Sequence, residues 1–192
     1  MSLLAALAVP AFARRASFVS VDALVHQPRP PQLLQSRYEG GRTQSCDLTI
    51  RYLLDTSVLS AVIAPKPSRA VLQRLGQNGI VCATASVVWN ELSYGCQRLE
   101  PGKRKIELEA YLRDVVLKSF PILPYDQEAA TWHAFERARQ ERVGRPGPYV
   151  DGQIAAIACV RDLILVTANI KDFTRFRGLT VEDWTTATRS KK

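Results

Sequence analysis

Three acidic residues that lie far apart in the chain are candidates for a shared chemical role: Asp55, Glu91 and Asp151. Asp55 ends the apolar run at 52–54 and is followed by two hydroxyl residues, Thr56 and Ser57. An Asp in this position either caps the helix that begins after it or holds a metal ion at the end of a strand. The run itself does not separate the two interpretations. The decision depends on whether other acids converge on the same place.

The other two acids lie on predicted helices that are largely apolar. When residues 86–99 are placed at 100° steps around a helix axis, Glu91 falls on the apolar side. The segment 149–160 is apolar nearly all round after its first turn, which carries Asp151. A buried acid is unfavourable unless it is paired or binds a cation. An Arg partner for Glu91 and the helix dipole for Asp151 are the purely structural alternatives.

The elements that would position these acids alternate between strands and helices from Ile50 onward. This order predicts an α/β fold, with a mainly parallel sheet of about five strands and helices on both faces. In such a sheet, ligands bind beyond the carboxyl ends of the strands. Asp55 lies at one such end, and Thr167, Asn169 and Asp172 follow another. The predicted strands are 50–54, 80–83, 120–123, 163–167 and 179–181, and the predicted helices are 56–63, 68–77, 86–98, 103–117, 126–142 and 149–161.

Composition favours a single globular domain. Its basic charge favours a polyanionic partner but leaves nucleic acid, an anionic membrane and mere solubility open. The chain has 192 residues, 46% of them hydrophobic, and its formal charge is +8. Two basic runs could hold phosphates, and three aromatic residues could stack on bases, although we expect a solvated helix face for the runs and core packing for the aromatics. The basic residues are Lys103, Arg104, Lys105, Arg137, Arg139, Arg142 and Arg145, and the aromatics are Trp89, Trp132 and Tyr149.

The cysteines, the apolar runs and the chain ends bear on zinc binding, on cellular location and on the extent of the folded domain. Four separated cysteines without a C-x-x-C pair argue against a zinc site and are typical of a reduced, cytoplasmic protein. No apolar run is long enough to cross a membrane. Residues 1–49 are rich in Pro and Gly, so we expect a disordered extension that folding does not require, and 185–192 form a basic tail.

Five motifs in order carry a family resemblance: "YLLDTS", "WNELSYG", "GPYVDGQIAAIA", "LVTANIKDF" and "GLTVEDW". Together they resemble the PIN-domain family, specifically the VapC-type toxins of bacterial type II toxin–antitoxin pairs. The resemblance implies a three-layer α/β/α domain over 50–184. It places Asp55, Glu91 and Asp151 at the family's first three acidic positions. The fourth position falls on Asn169, which is neutral, and whether Asp172 compensates is left open.

The resemblance further implies a Mg²⁺-dependent endoribonuclease, with Mn²⁺ as an alternative metal, acting on structured RNA such as tRNA. Asp55, Asp151 and Glu91 would be the metal ligands and catalytic residues, while Thr56 or Ser57 would hydrogen-bond to a ligating carboxylate. It also implies a homodimer neutralised by an antitoxin protein. The alternative is a catalytically weak module that binds nucleic acid or antitoxin. A haloacid-dehalogenase-type phosphatase would need an acid at Ser57, and a dinucleotide-binding enzyme would need a glycine-rich turn after the first strand.

Overall fold

The structure is a computed structural model that describes residues 49–186. The strands are β1 (Tyr52–Leu54), β2 (Cys82–Ala85), β3 (Ile122–Leu123), β4 (Ile164–Val166) and β5 (Thr180–Glu182). The α-helices are α1 (Thr56–Val62), α2 (Arg69–Asn78), α3 (Ser86–Gln97), α4 (Lys103–Tyr111), α5 (Leu117–Ser119), α6 (Gln127–Arg142), α7 (Tyr149–Val160) and α8 (Ile170–Phe173).

The five strands form one parallel sheet in the order β3-β2-β1-β4-β5. β1 is central, pairing Leu54 with Thr84 of β2 on one side and with Val166 of β4 on the other. The order of the strands reverses between β1 and β4, and ligands bind at such a switch point in doubly wound sheets. The predicted α/β fold with a mainly parallel sheet is confirmed, and Asp55 leaves the sheet at this point.

Burial on both faces explains why the strands are short apolar runs without alternation. Right-handed crossovers that step toward β3 and those that step toward β5 pack their helices on opposite faces of the sheet. Leu53, Leu54 and Leu165 are therefore fully buried, as is Ile154 on α7. Trp184 closes the core after β5, with its ring centroid 5.0 Å from that of Tyr52.

The structure corrects several element boundaries. β2 begins two residues later than predicted, because Gly79–Val81 forms a 3-10 turn first. The helix predicted over 103–117 continues to Ser119 through a π-helical stretch, Leu112–Val116. The short helix α8 was not predicted, since four residues are too few to show a helical period.

The chain ends fall mostly outside the described residues. The expected disorder of 1–49 and the basic tail 185–192 concern residues 1–48 and 187–192 almost entirely, so both stay predictions. Within 49–186, Cys82 and Cys96 are buried free thiols and Cys159 is a partly buried one. No helix in this part of the chain combines the length and the apolar character that crossing a membrane requires.

Candidate active site

Asp55 is buried at the end of β1, and its side chain does not cap helix α1. Its Oδ2 instead accepts hydrogen bonds from Ser57 Oγ, at 2.8 Å, and from Thr167 Oγ1, at 2.7 Å. Each hydroxyl carries one hydrogen, so both hydrogens point at the same oxygen. The Ser57 and Thr167 oxygens lie 3.2 Å apart, and no hydrogen is left to bridge them. Oδ2 of Asp55 is therefore the common acceptor of both hydroxyl groups.

The other oxygen of Asp55, Oδ1, is left without a hydrogen-bond donor in the described part of the chain. Within residues 49–186, no protein donor contacts Oδ1, whereas both hydroxyl hydrogens go to Oδ2. The two hydroxyls are themselves fixed, because Ala168 N donates to Ser57 Oγ and Asn169 N donates to Thr167 Oγ1, each at 3.0 Å. The carboxylate is therefore held in one orientation with one oxygen available.

Glu91 joins Asp55 from helix α3. It is half-buried, and its Oε2 accepts a hydrogen bond of 2.5 Å from Thr56 Oγ1, which follows Asp55 directly. Burial raises the pKa of Glu91, the bond from Thr56 opposes this rise, and the charge of Asp55 adds to it. No Lys or Arg in the described part of the chain forms an ion pair with Glu91, so the structural alternative of an Arg partner is wrong.

Asp151 lies in the first turn of α7 and completes the group of acids. Burial raises its pKa from 3.8 to about 6, and the negative charges of Asp55, Asp172 and Glu91 contribute to the rise. A helix N-terminus favours the ionised carboxylate and would lower this pKa, so the helix dipole is outweighed here. The charge of Arg175 also lowers it, without cancelling the rise. Four acids from four segments thus share one electrostatic environment.

Asn169, at the fourth position, is coupled to Asp172 on α8. The Asn169 amide nitrogen donates to Asp172 Oδ2, and Arg175 Nη2 lies 3.8 Å from Asp172 Oδ1. Asp172 still contributes to the raised pKa of Asp151, so its charge reaches the site. Asn169 itself is neutral, but it is hydrogen-bonded to Asp172, an acid three residues further along the chain whose charge acts on the site.

The donor set fits a hard cation that keeps part of its water shell. Among residues 49–186, no three His, Cys, Asp or Glu side chains lie close enough together to enclose a metal ion by themselves. Mg²⁺ takes few ligands from protein, keeps several waters and prefers oxygen donors. Asp55, Glu91 and Asp151 offer only oxygens, and the unused Oδ1 of Asp55 is the kind of donor such an ion binds.

A model of the PIN domain family matches residues 52–179. The chain belongs to the PIN-domain family. The tRNA(fMet)-specific endonuclease VapC of Shigella flexneri is 35% identical over 137 residues, which cover 70% of this chain and 98% of that protein. Ribonuclease VapC2 of Haemophilus influenzae is 32% identical over 135 residues, covering 70% of this chain and 98% of the relative.

Solved structures agree with this assignment and place the PIN domain in the VapC group. The DNA-bound VapBC complex from Salmonella typhimurium contains a chain with a TM-score of 0.64 and 29% identity, and the match covers 71% of this chain and 99% of that one. FitAcB from Neisseria gonorrhoeae gives a TM-score of 0.63 at 29% identity, covering 68% and 95% of the two chains. The predicted family is confirmed.

Thr167 is the residue of this PIN domain whose importance sequence reasoning missed. Its position after β4 was noted, but its contact with Asp55, 112 residues away, was not foreseen. The available signal was a Thr at the end of an apolar strand that neighbours the strand bearing Asp55. A hydroxyl at that edge can reach a carboxylate on the adjacent strand end, and Thr167 is fully buried there.

The basic runs of the PIN domain are largely engaged in local pairs. Arg139 donates to the buried carboxylate of Glu136, with its Nε 2.8 Å from Oε2, and Arg137 Nε bonds Glu141 at 3.0 Å. Lys103 and Arg104 both lie within 4.0 Å of one carboxylate, that of Glu107. These pairs agree with the expected solvated helix faces, apart from the Glu136 pair, which is buried.

The three aromatic candidates differ in exposure. Trp89 and Trp132 are partly buried against the core, as expected. The expectation of core packing is wrong for Tyr149, which is 54% exposed at the start of α7. Its ring centroid lies 4.9 Å from that of the buried His133 and 5.2 Å from the guanidinium carbon of Arg137.

Proposed function

We propose that this PIN domain is a metal-dependent endoribonuclease, the toxin of a type II toxin–antitoxin pair. The observation that carries the proposal is the gathering of Asp55, Glu91 and Asp151 at the carboxyl edge of the sheet. Like charges brought together in a partly buried crevice destabilise one another, as the raised pKa of Asp151 illustrates. Such an arrangement is typical of a site that uses a cation.

Asp55, Glu91 and Asp151 would hold the metal, Mg²⁺ or alternatively Mn²⁺. When bound, the metal supplies an activated water and neutralises charge that grows on the scissile phosphodiester. Ser57 and Thr167 hold the Asp55 carboxylate in one orientation through their bonds to Oδ2. Thr56 fixes one oxygen of Glu91, and the raised pKa of this acid suits it to accept a proton from the attacking water.

Structured RNA, tRNA in particular, is the substrate we propose. The Shigella relative is named a tRNA(fMet)-specific endonuclease, and the chain spans 98% of that protein's length. The basic charge of +8 favours such a polyanion. We propose a cytoplasmic location for the same reason, since a tRNA substrate would be met there. We further propose an antitoxin partner, because the Salmonella structure is a VapBC complex, and a homodimer, as the family resemblance implies.

The proposal is tested by incubating the purified chain with total tRNA in Mg²⁺ and in chelator. We expect discrete new RNA ends in Mg²⁺, none in chelator, and none with Asp151→Asn under either condition. Cleavage that persists in chelator, or that Asp151→Asn retains, would overturn the metal-dependent mechanism.

A binding module without strong catalysis is the second candidate. Two observations favour it: Asn169 is neutral, and no three ligating groups enclose a metal in residues 49–186. In that case the same tRNA would be retained on a filter by the wild-type chain without any new ends in Mg²⁺. Retention without cleavage therefore selects the module, and cleavage selects the enzyme.

A further inference from the structure

Arg175 is a cation whose surroundings set it apart from the basic helix faces. It follows helix α8, and its charge lowers the pKa of Asp151, as no other cation among residues 49–186 does. Its side chain packs against the loop that leads into α7, since a Cβ placed on Gly147 would lie 3.1 Å from Arg175 Cδ. Arg175 therefore borders the acidic site from the side of α7 and α8.

The backbone at Arg175 is fixed by a buried ion pair. Its carbonyl oxygen accepts a bond of 2.9 Å from Arg139, whose guanidinium also binds Glu136. Glu136 is 7% exposed and also accepts from the backbone nitrogen of Arg177, at 3.3 Å. This network anchors the segment that carries Arg175 to helix α6.

The guanidinium itself is anchored at one nitrogen and loosely held at the others. Nε donates to the carbonyl oxygen of Asp172 at 3.1 Å. One terminal nitrogen donates to Pro146 O at 3.4 Å, and the other lies 3.8 Å from Asp172 Oδ1, beyond hydrogen-bond distance. The side chain is 33% exposed. An anchored Nε with two weakly engaged terminal groups is suited to bind two oxygens of one anion, such as a phosphate, in a bidentate manner.

We propose that Arg175 binds a phosphate of the RNA substrate beside the acidic site. This inference rests on the proposed ribonuclease function. An RNA strand that enters a site lined by carboxylates needs a compensating cation close to the scissile phosphate, because the acids repel the phosphates of the RNA backbone. The terminal nitrogens of Arg175 supply it, exchanging two long contacts for charge-assisted hydrogen bonds to phosphate oxygens.

The test compares Arg175→Gln and Arg175→Lys with a matched surface control, Arg113→Gln. Arg113 is also paired with a neighbouring acid, Asp114, and its side chain is 66% exposed in the π-helical stretch between α4 and α5. In Mg²⁺, we expect Arg175→Gln to lower kcat/KM for tRNA by about 10- to 100-fold, the range for loss of one hydrogen bond between charged groups. Arg175→Lys should recover part of the loss, and Arg113→Gln should cleave like wild type.

A second readout separates phosphate binding from a structural role and does not need cleavage. RNA retention is measured in chelator over a series of salt concentrations. The slope of log K against log salt should become shallower by about 0.7 to 0.9 in Arg175→Gln, as expected for one phosphate contact, and stay unchanged in Arg175→Lys. An unchanged slope in Arg175→Gln would overturn the proposal, as would equal losses of kcat/KM and melting temperature in the Gln and Lys variants.

The two proposals fail in different ways. If wild-type protein leaves tRNA uncut in Mg²⁺, the ribonuclease function fails, while the salt dependence of RNA retention still tests Arg175. If wild type cleaves and Arg175→Gln cleaves equally well, only the role of Arg175 is overturned.

Discussion

Substituting Asn for Asp55 separates a metal ligand from a structural carboxylate. The Asn carbonyl oxygen can replace Oδ2 and accept both hydroxyl hydrogens, from Ser57 and Thr167, so the buried hydroxyls stay satisfied. The amide nitrogen then takes the place of Oδ1, where a donor cannot bind a cation. We expect the variant to keep its fold in chelator and to lose Mg²⁺-dependent cleavage.

The expected change in stability is a small difference between two opposing effects. The rise of the Asp151 pKa from 3.8 to about 6 corresponds to about 3 kcal/mol against the ionised form. Burial is the largest cause of this rise, and solvent screens the repulsion between the acids. Removing the charge of Asp55 therefore raises the free energy of unfolding by about 1 kcal/mol at most. Replacing a charged acceptor by a neutral one costs roughly 1 kcal/mol over the two bonds. The free energy of unfolding should therefore lie within about 1 kcal/mol of wild type.

The assay follows melting in chelator and tRNA cleavage in Mg²⁺ for wild type, Asp55→Asn and Asp55→Ala. The Ala variant leaves Ser57 and Thr167 without their common acceptor, and we expect a loss of about 2 to 4 kcal/mol. Full cleavage by Asp55→Asn would refute the metal-ligand role. If Asp55→Asn lost as much unfolding free energy in chelator as Asp55→Ala does, the charge of Asp55 would instead be structural.

Three further predictions concern the surroundings of the site. Thr167→Val should lower the free energy of unfolding by about 1 to 3 kcal/mol in urea denaturation, because it removes a buried hydrogen-bond donor, whereas Thr131→Val on the exposed face of α6 should cost under about 1 kcal/mol. Gly152→Ala should destabilise the protein by about 1 to 3 kcal/mol in the same assay, since the new Cβ would meet His133 Nε2 at 2.3 Å. In chelator, wild type should lose stability relative to Asp151→Asn as the pH rises through about 6.

The sign of that pH dependence follows from proton binding. Between the pKa of Asp151 in the unfolded chain, 3.8, and its pKa in the folded protein, about 6, the folded protein binds more protons at this residue than the unfolded chain does. The contribution of Asp151 to stability is therefore lost as the pH rises. The lowered pKa of His133 acts in the opposite direction, but it is common to both proteins and cancels in the comparison. A difference between the two proteins that is flat from pH 4.5 to 7, to within about 0.5 kcal/mol, would contradict the raised pKa of Asp151.

The sequence sufficed to predict the sheet and to mark the acids as candidates for a shared site. Strands buried on both faces leave continuous apolar runs, and an acid on an otherwise apolar helix such as α7 is visible against that background. The start of β2 was misplaced because Ile80 and Val81 have strand-like side chains, while the backbone at Gly79–Val81 turns before it pairs. The strand propensity of individual residues does not reveal where hydrogen-bonded pairing with the neighbouring strand begins.

The contacts that organise the site could not be predicted, because they join residues that are distant in sequence. Thr56 was a candidate for a hydrogen bond to a carboxylate, but only the packing of α3 shows that its partner is Glu91. The alternative that Asp55 caps helix α1 was equally consistent with the sequence. It failed because the Asp55 side chain turns toward Thr167, directly after β4, and only the strand order brings these two residues near each other.

The pKa of the Asp151 carboxyl group, followed by carbon-detected NMR with and without Mg²⁺, tests most directly whether the three acids share a cation. Without metal we expect titration at about 6. With saturating Mg²⁺ the bound cation favours the ionised form, so the pKa should fall below the ordinary value of 3.8. The same pKa in chelator and in Mg²⁺ would contradict the metal site.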